Sequence, residues 1–99
     1  MVYDSLIIGN GEVGSSLKTI LDKRKKCKKS GIIDSKDSDY KEKIEETDSC
    51  KVLHICISYS KNFVRICQSC INRFQPKLCI IHSTVPVRTT KEIDLLVQI

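Results

Sequence analysis

Leu6-Ile7-Ile8-Gly9-Asn10-Gly11-Glu12-Val13-Gly14-Ser15-Ser16-Leu17 reads as a buried strand, a tight glycine turn and the start of an amphipathic helix. Gly9, Gly11 and Gly14 stand at the G-x-G-x-x-G spacing of a dinucleotide-binding turn. Each glycine has a separate expected task. Gly9 allows the sharp exit from the strand, Gly11 leaves the backbone open to a pyrophosphate, and Gly14 lets the helix lie close on the sheet. The amides of Gly11, Glu12, Val13 and Gly14, with Asn10 before them, would face the phosphates at the positive end of the helix dipole. Glycine turns are common, so context decides. An apolar strand precedes this turn, and the stripe Val13, Leu17, Ile20 and Leu21 follows it. Asp34 comes ~20 residues later, after a second apolar run, where an acid can hold a ribose.

Working outward, the chain alternates short apolar runs with helical stripes, the pattern of an α/β domain. The expected strands are Tyr3 to Ile8, Ile32 to Asp34, Val52 to Ile57 and Leu78 to His82. The first helix runs from Glu12 to about Lys25 and ends in a basic cluster that complements its dipole. Gly31 is read as closing the next turn. Ser38 is the expected cap of a short helix through Glu46, with Ile44 its apolar anchor. Ser60 is the expected cap of a helix whose stripe is Phe63, Ile66, Cys67, Cys70, Ile71 and Phe74, and Pro76 ends it. Thr89 and Glu92 are spaced as a capping box for a last helix carrying Ile93, Leu96 and Val97. Too few residues separate the second and third strands for another crossover unit. The third strand should therefore pair with the free edge of the first. A Rossmann-like, mainly parallel four-stranded sheet of order 2-1-3-4 follows, with helices on both faces and a ligand switch point between strands one and three.

Ninety-nine residues make one domain, spanning residues 1–99. The net charge of +5 comes with five aromatic residues and no basic-aromatic interleaving, which argues against nucleic acid as partner. No apolar run spans a bilayer and no leader is evident, so a cytoplasmic location is expected. Six cysteines could suggest a disulfide framework. Cys56 and Cys79 fall in strand-like runs, however, and Cys67 and Cys70 fall on a helical stripe. Buried free thiols are the better account. The Cys67-x-x-Cys70 pair lacks a second half, so no metal site is assigned. Cys27 and Cys50 flank loops. His54 is read as a structural mid-strand residue; His82, at a strand end, could move a proton but has no partner acid.

Two further stretches carry a family resemblance. Val52-Leu53-His54-Ile55-Cys56-Ile57-Ser58-Tyr59-Ser60 resembles the V-V-F-I-C-V-P-T-P strand and loop of nucleotide-sugar dehydrogenases. Ser83-Thr84-Val85-Pro86-Val87-Arg88-Thr89-Thr90 is similar to their S-T-V-P-P-G-T-T. Over residues 3–92 the chain resembles the N-terminal NAD-binding domain of the UDP-glucose/GDP-mannose dehydrogenase family, within the wider 6-phosphogluconate dehydrogenase-like group. The resemblance implies NAD as cofactor, with Gly9, Gly11 and Gly14 on the pyrophosphate and Asp34 on the adenosine ribose. Ser58, Tyr59, Ser83 and Thr84 would line the nicotinamide side. An acid at Asp34 disfavours a 2′-phosphate, although Lys36 softens that choice. Ser58 and Ser60 replace family prolines, Tyr59 a threonine and Arg88 a glycine. The family's catalytic lysine and nucleophilic cysteine belong to later domains, and no cysteine here matches the nucleophile. The resemblance therefore implies cofactor binding, with catalytic residues unknown and no independent sugar oxidation. The alternative is a non-enzymatic nucleotide-responsive module that docks a partner, or a second copy, through its C-terminal helix. A degenerate domain without a ligand is the third reading.

Overall fold

The computed structural model describes residues 1–24, 28–83 and 97–98. The elements in order are β1 (Val2–Ile8), α1 (Glu12–Lys23), β2 (Ser30–Ile33), α2 (Tyr40–Glu46), β3 (Ser49–Ile55), α3 (Phe63–Phe74), β4 (Leu78–Ile81) and β5 (Val97–Gln98). All strand pairs are parallel, in the order β2-β1-β3-β4-β5. The first four strands thus take the α/β, Rossmann-like 2-1-3-4 order that the short β2–β3 connection requires. Ile7 sits between Ile32 on β2 and His54 on β3, and His54 is paired in turn with Ile80 on β4.

Alternation along each strand sends neighbouring side chains to opposite faces. Leu6, Ile33, Leu53, Ile55, Cys79 and Ile81 point toward α3 and join Phe63, Cys67, Ile71 and Phe74 in one buried cluster. Tyr40 and Ile44 of α2 pack against its rim. Ile7 faces the other way, where its side chain meets Gly14 of α1. Helices therefore cover both faces, α1 on one and α2 with α3 on the other.

Several local expectations are corrected. Val97 lies in β5, paired with Ile80, rather than on a helix. Its Ile93, Leu96, Val97 spacing suits a helix end, but β4 offers an open row of backbone groups that a short strand satisfies. Gly31 is inside β2, where the Tyr3 ring lies so close that a Cβ would stand 2.7 Å from Tyr3 Cε1. A strand glycine here admits a neighbour and does not close a turn. The N-cap of α2 is Asp39, not Ser38, because successive turns (Asp37 N–H to Asp34 O, Tyr40 N–H to Asp37 O) occupy the preceding residues. Asn62, not Ser60, caps α3; Ser60 Oγ instead accepts from the Asn62 N–H in the turn before it. α3 ends at Gln75 in the left-handed conformation, with buried Pro76 after it.

On α1, only Gly14 is buried; Leu17 and Leu21 are half-buried, and Val13 and Ile20 are more than half exposed. Cys50 is not in a loop flank but buried in β3. The five described cysteines are free, and Cys50, Cys67 and Cys79 are buried. Cys27 lies outside the described residues. Among the described residues no helix is long and apolar enough to cross a membrane.

Candidate functional site

The C-terminal ends of β1 to β4 deliver every described site residue to one edge of the sheet. The topology reverses between β1 and β3, so a crevice opens there. The basic cluster at Lys23, Arg24, Lys28 and Lys29 is at the opposite end, where Lys28 and Lys29 donate their amides to Asp4 at the start of β1.

The three glycines are needed for different reasons. Gly9 has φ +108°, and a Cβ would stand 2.7 Å from the Cys56 carbonyl oxygen. Its N–H donates to Ile33 O at 2.8 Å, tying the turn to β2. At Gly14 a Cβ would fall 1.9 Å from Gly9 O, so the helix can approach the turn only with glycine there. Gly11 differs. Its φ of −83° and ψ of −158° are open to other residues, and a Cβ would meet nothing within 4 Å. As N-cap it makes no side-chain cap bond, whereas Ser, Asp or Asn would cap better. Folding does not ask for glycine at this position.

The first-turn amides of α1 have no carbonyl partner within the helix, as at any helix N-terminus. Asn10 is different, because its N–H donates to Asp34 Oδ2 at 2.7 Å. Asp34 Oδ1 accepts from the Lys36 N–H at 2.9 Å. The Lys36 and Asn10 amides hold the Asp34 carboxyl below the usual carboxylate range. Asp34 is therefore ionised and fixed against the glycine turn, with lone pairs left over for a hydroxyl.

Two cavities flank the turn. One, of about 180 Å³, is mainly apolar: Ile33, Tyr40, Ile44, Ile57, Cys70 and Phe74 wall it, and Gly9 and Asp34 stand among its lining. The other, of about 370 Å³, is lined by Val13, Cys56, Ile57, Ser58, Tyr59, His82 and Ser83. Ile57 is shared between them. Gly9 and Asp34 are thus brought together on one side, and Ser58, Tyr59 and Ser83 with Val13 on the other. Asn10, Gly11 and Glu12 are exposed on the turn between. The Tyr59 ring leans on Phe63, with centroids 5.5 Å apart, and the Ser83 hydroxyl donates to Ile57 O. Thr84 and Arg88 lie outside the described residues, as does the C-terminal helix proposed for docking apart from Val97.

One pairing escaped the sequence. His54 Nδ1 and His82 Nε2 are 2.9 Å apart, with the rings stacked at 5.2 Å between centroids. The partner of His82 is an imidazole, not an acid. Burial, and then the neighbouring His82, push His54 down to about 4, and burial lowers His82 as well. His54 Nε2 is buried without a hydrogen-bond partner among the described residues. The available signal was alternation: His82 lies two residues beyond Ile80, the register partner of His54, and so on the same face, but strand adjacency had to be known first.

Burial raises the thiols of Cys50 and Cys67 to about 12, and those of Cys56, Cys70 and Cys79 to about 11. None is a nucleophile at neutral pH. No group of three or more metal-ligating side chains occurs among the described residues. Comparison with protein-family models, curated proteins and solved structures gave no match.

Proposed function

We propose that the chain is a nucleotide-binding module that takes NAD(H) across the β1–β3 crevice. The observation that carries this reading is Gly11, a glycine that neither backbone conformation nor packing requires, open to the solvent at a bare helix N-terminus. A diphosphate is the group that would use the space a Cβ would take. In this reading the amides of Gly11 to Gly14 hold the pyrophosphate and Asp34 accepts from the adenosine ribose. The apolar cavity beside Asp34 takes the adenine, and the Ser58, Tyr59 and Ser83 side takes the nicotinamide, with Thr84 following.

The cofactor would supply the hydride chemistry; the chain contributes position and field. No side chain is assigned a catalytic role. The resemblance to the cofactor domain of UDP-glucose/GDP-mannose dehydrogenases supports the same ligand, and a cytoplasmic setting belongs to the reading, which the free thiols suit.

Gly11→Asp tests it. Aspartate is a better N-cap than glycine by a few tenths of a kcal/mol, so the fold should hold. Its carboxylate would occupy and repel the diphosphate. ADP-ribose affinity, measured by calorimetric titration, is expected to fall at least about tenfold, equivalent to ~1.4 kcal/mol. Unchanged affinity in a folded variant removes the pyrophosphate assignment.

A further inference from the structure

The larger cavity holds a feature that dinucleotide binding does not use. His82 lines it, and His82 Nε2 is tied to His54 Nδ1 at 2.9 Å. His54 is 7 % exposed, on the sheet face that α1 covers, and its other nitrogen has no partner among the described residues. One nitrogen of the facing pair must donate and the other accept. When both rings are neutral, either direction satisfies the bond. When one proton is added, the acceptor role must pass to the ring that stays neutral.

That ring is His54, because charge on it would be buried with no counter-ion among the described residues. The charged ring is His82, half-buried and open to the cavity. A second proton would set two cations face to face, so the pair takes one. Among the described residues, the other groups that line the cavity with His82 carry no charge. From β3 His54 is bonded to His82; Cys56, whose thiol is neutral, and Ser58 and Tyr59 line the cavity from the loop after β3, and Val13 from α1. Glu12 shares the adjoining groove with His82, yet the two make no ion pair. Among the described residues a charged His82 therefore has no ion-paired carboxylate, and the cavity has room for an anion.

We propose that His54 and His82 form a one-proton anion subsite, in which His82 carries the charge, His54 fixes its ring, and the ligand group is an oxyanion, either a carboxylate or a phosphate. The proposal rests on this cavity being a ligand cleft, as in the reading above, but not on the ligand being a dinucleotide. Binding then takes up one proton. Between the midpoint of the free pair and that of the complex, affinity rises tenfold for each unit of falling pH.

The chain has two histidines, so both imidazoles can be followed by long-range nitrogen-proton NMR. The full chain is titrated from pH 8 to 5 at constant ionic strength in chloride, then with sulfate, which stays ionised throughout, or acetate, which stays mostly ionised. The expected result is that one ring, His82, titrates in chloride, and that its midpoint rises with sulfate, acetate or both. Sulfate alone assigns a phosphate-type ligand, and acetate alone a carboxylate. His82→Gln should abolish the response and leave His54 untitrated above pH 5. Two rings titrating independently, a midpoint that neither anion moves, or a response kept in His82→Gln overturns the proposal. ADP-ribose titration at pH 8, where the pair is neutral, scores the dinucleotide reading separately.

Discussion

Leu6 and Ile7 are adjacent in β1 and equally buried, yet they look into different surroundings. Leu6 enters the cluster filled by α3, where Phe63, Leu53, Ile55, Cys67, Cys79 and Ile81 are all fully covered. Ile7 faces α1, across Gly14, with His54 beside it in the sheet. On the α3 face the buried side chains are apolar or raised thiols, with Tyr3 and Tyr40 at the rim and the small apolar cavity beside Asp34 at the edge. The α1 face carries the glycine turn, the histidine pair and the openings of the larger cavity. One strand's alternation thereby separates the main core from the histidine pair and the larger cavity.

The largest test of that separation is Phe63→Ala, which removes the largest fully buried side chain on the α3 face. It should cost about 3–5 kcal/mol, read as a lower midpoint in urea unfolding. Gly14→Ala strikes the α1 face where it is tightest. The added methyl would meet backbone at 1.9 Å, so α1 must lift from the turn. A loss of at least ~2 kcal/mol is expected, together with weaker ADP-ribose binding. A similar loss from Ile20→Ala would contradict the contrast; Ile20 is 52 % exposed, and its truncation should cost under about 1 kcal/mol.

Acid should act on the α1 face before the other. His54 and His82 have folded-state values below the ordinary histidine range, so the unfolded chain binds protons more readily. Stability is then full above about pH 6.5 and falls as pH drops toward 4, by at most ~1.4 kcal/mol per unit for each histidine. Asp34 acts in the same sense within its own, more acidic window. Its lowered value stabilises the fold above the ordinary carboxylate range, and that contribution goes only as pH falls below it. His54→Leu should flatten the slope between pH 6.5 and 4, as measured by thermal unfolding across pH. An unchanged slope would assign the acid sensitivity elsewhere.

Much of this architecture follows from local pattern. Leu6-Ile7-Ile8, Leu53 to Ile55 and Leu78 to Ile81 are strands because continuous apolar, β-branched runs suit a sheet covered on both faces. The Phe63 to Phe74 stripe fixes which side of α3 is buried, and the short β2–β3 connection forces the strand order. Glycine spacing marked the turn at Gly9 to Gly14 and the acid at Asp34 as neighbours, and Asn10 N–H meets that carboxylate. Caps were less legible. Ser38 and Ser60 each stand two to three residues before their helices, because turn hydrogen bonds compete locally with capping.

By itself, then, the sequence determined the parallel α/β frame, the glycine turn and most of the buried face of α3, whereas on α1 two of the four stripe residues, Val13 and Ile20, face outward. Tertiary structure alone decided that Gly31 serves Tyr3, that Val97 pairs with β4, and that His54 finds His82 across 28 positions. Those outcomes depend on which strands lie side by side and in what register. No local propensity encodes that, because the hydrogen-bonded partners are brought together only when the sheet closes.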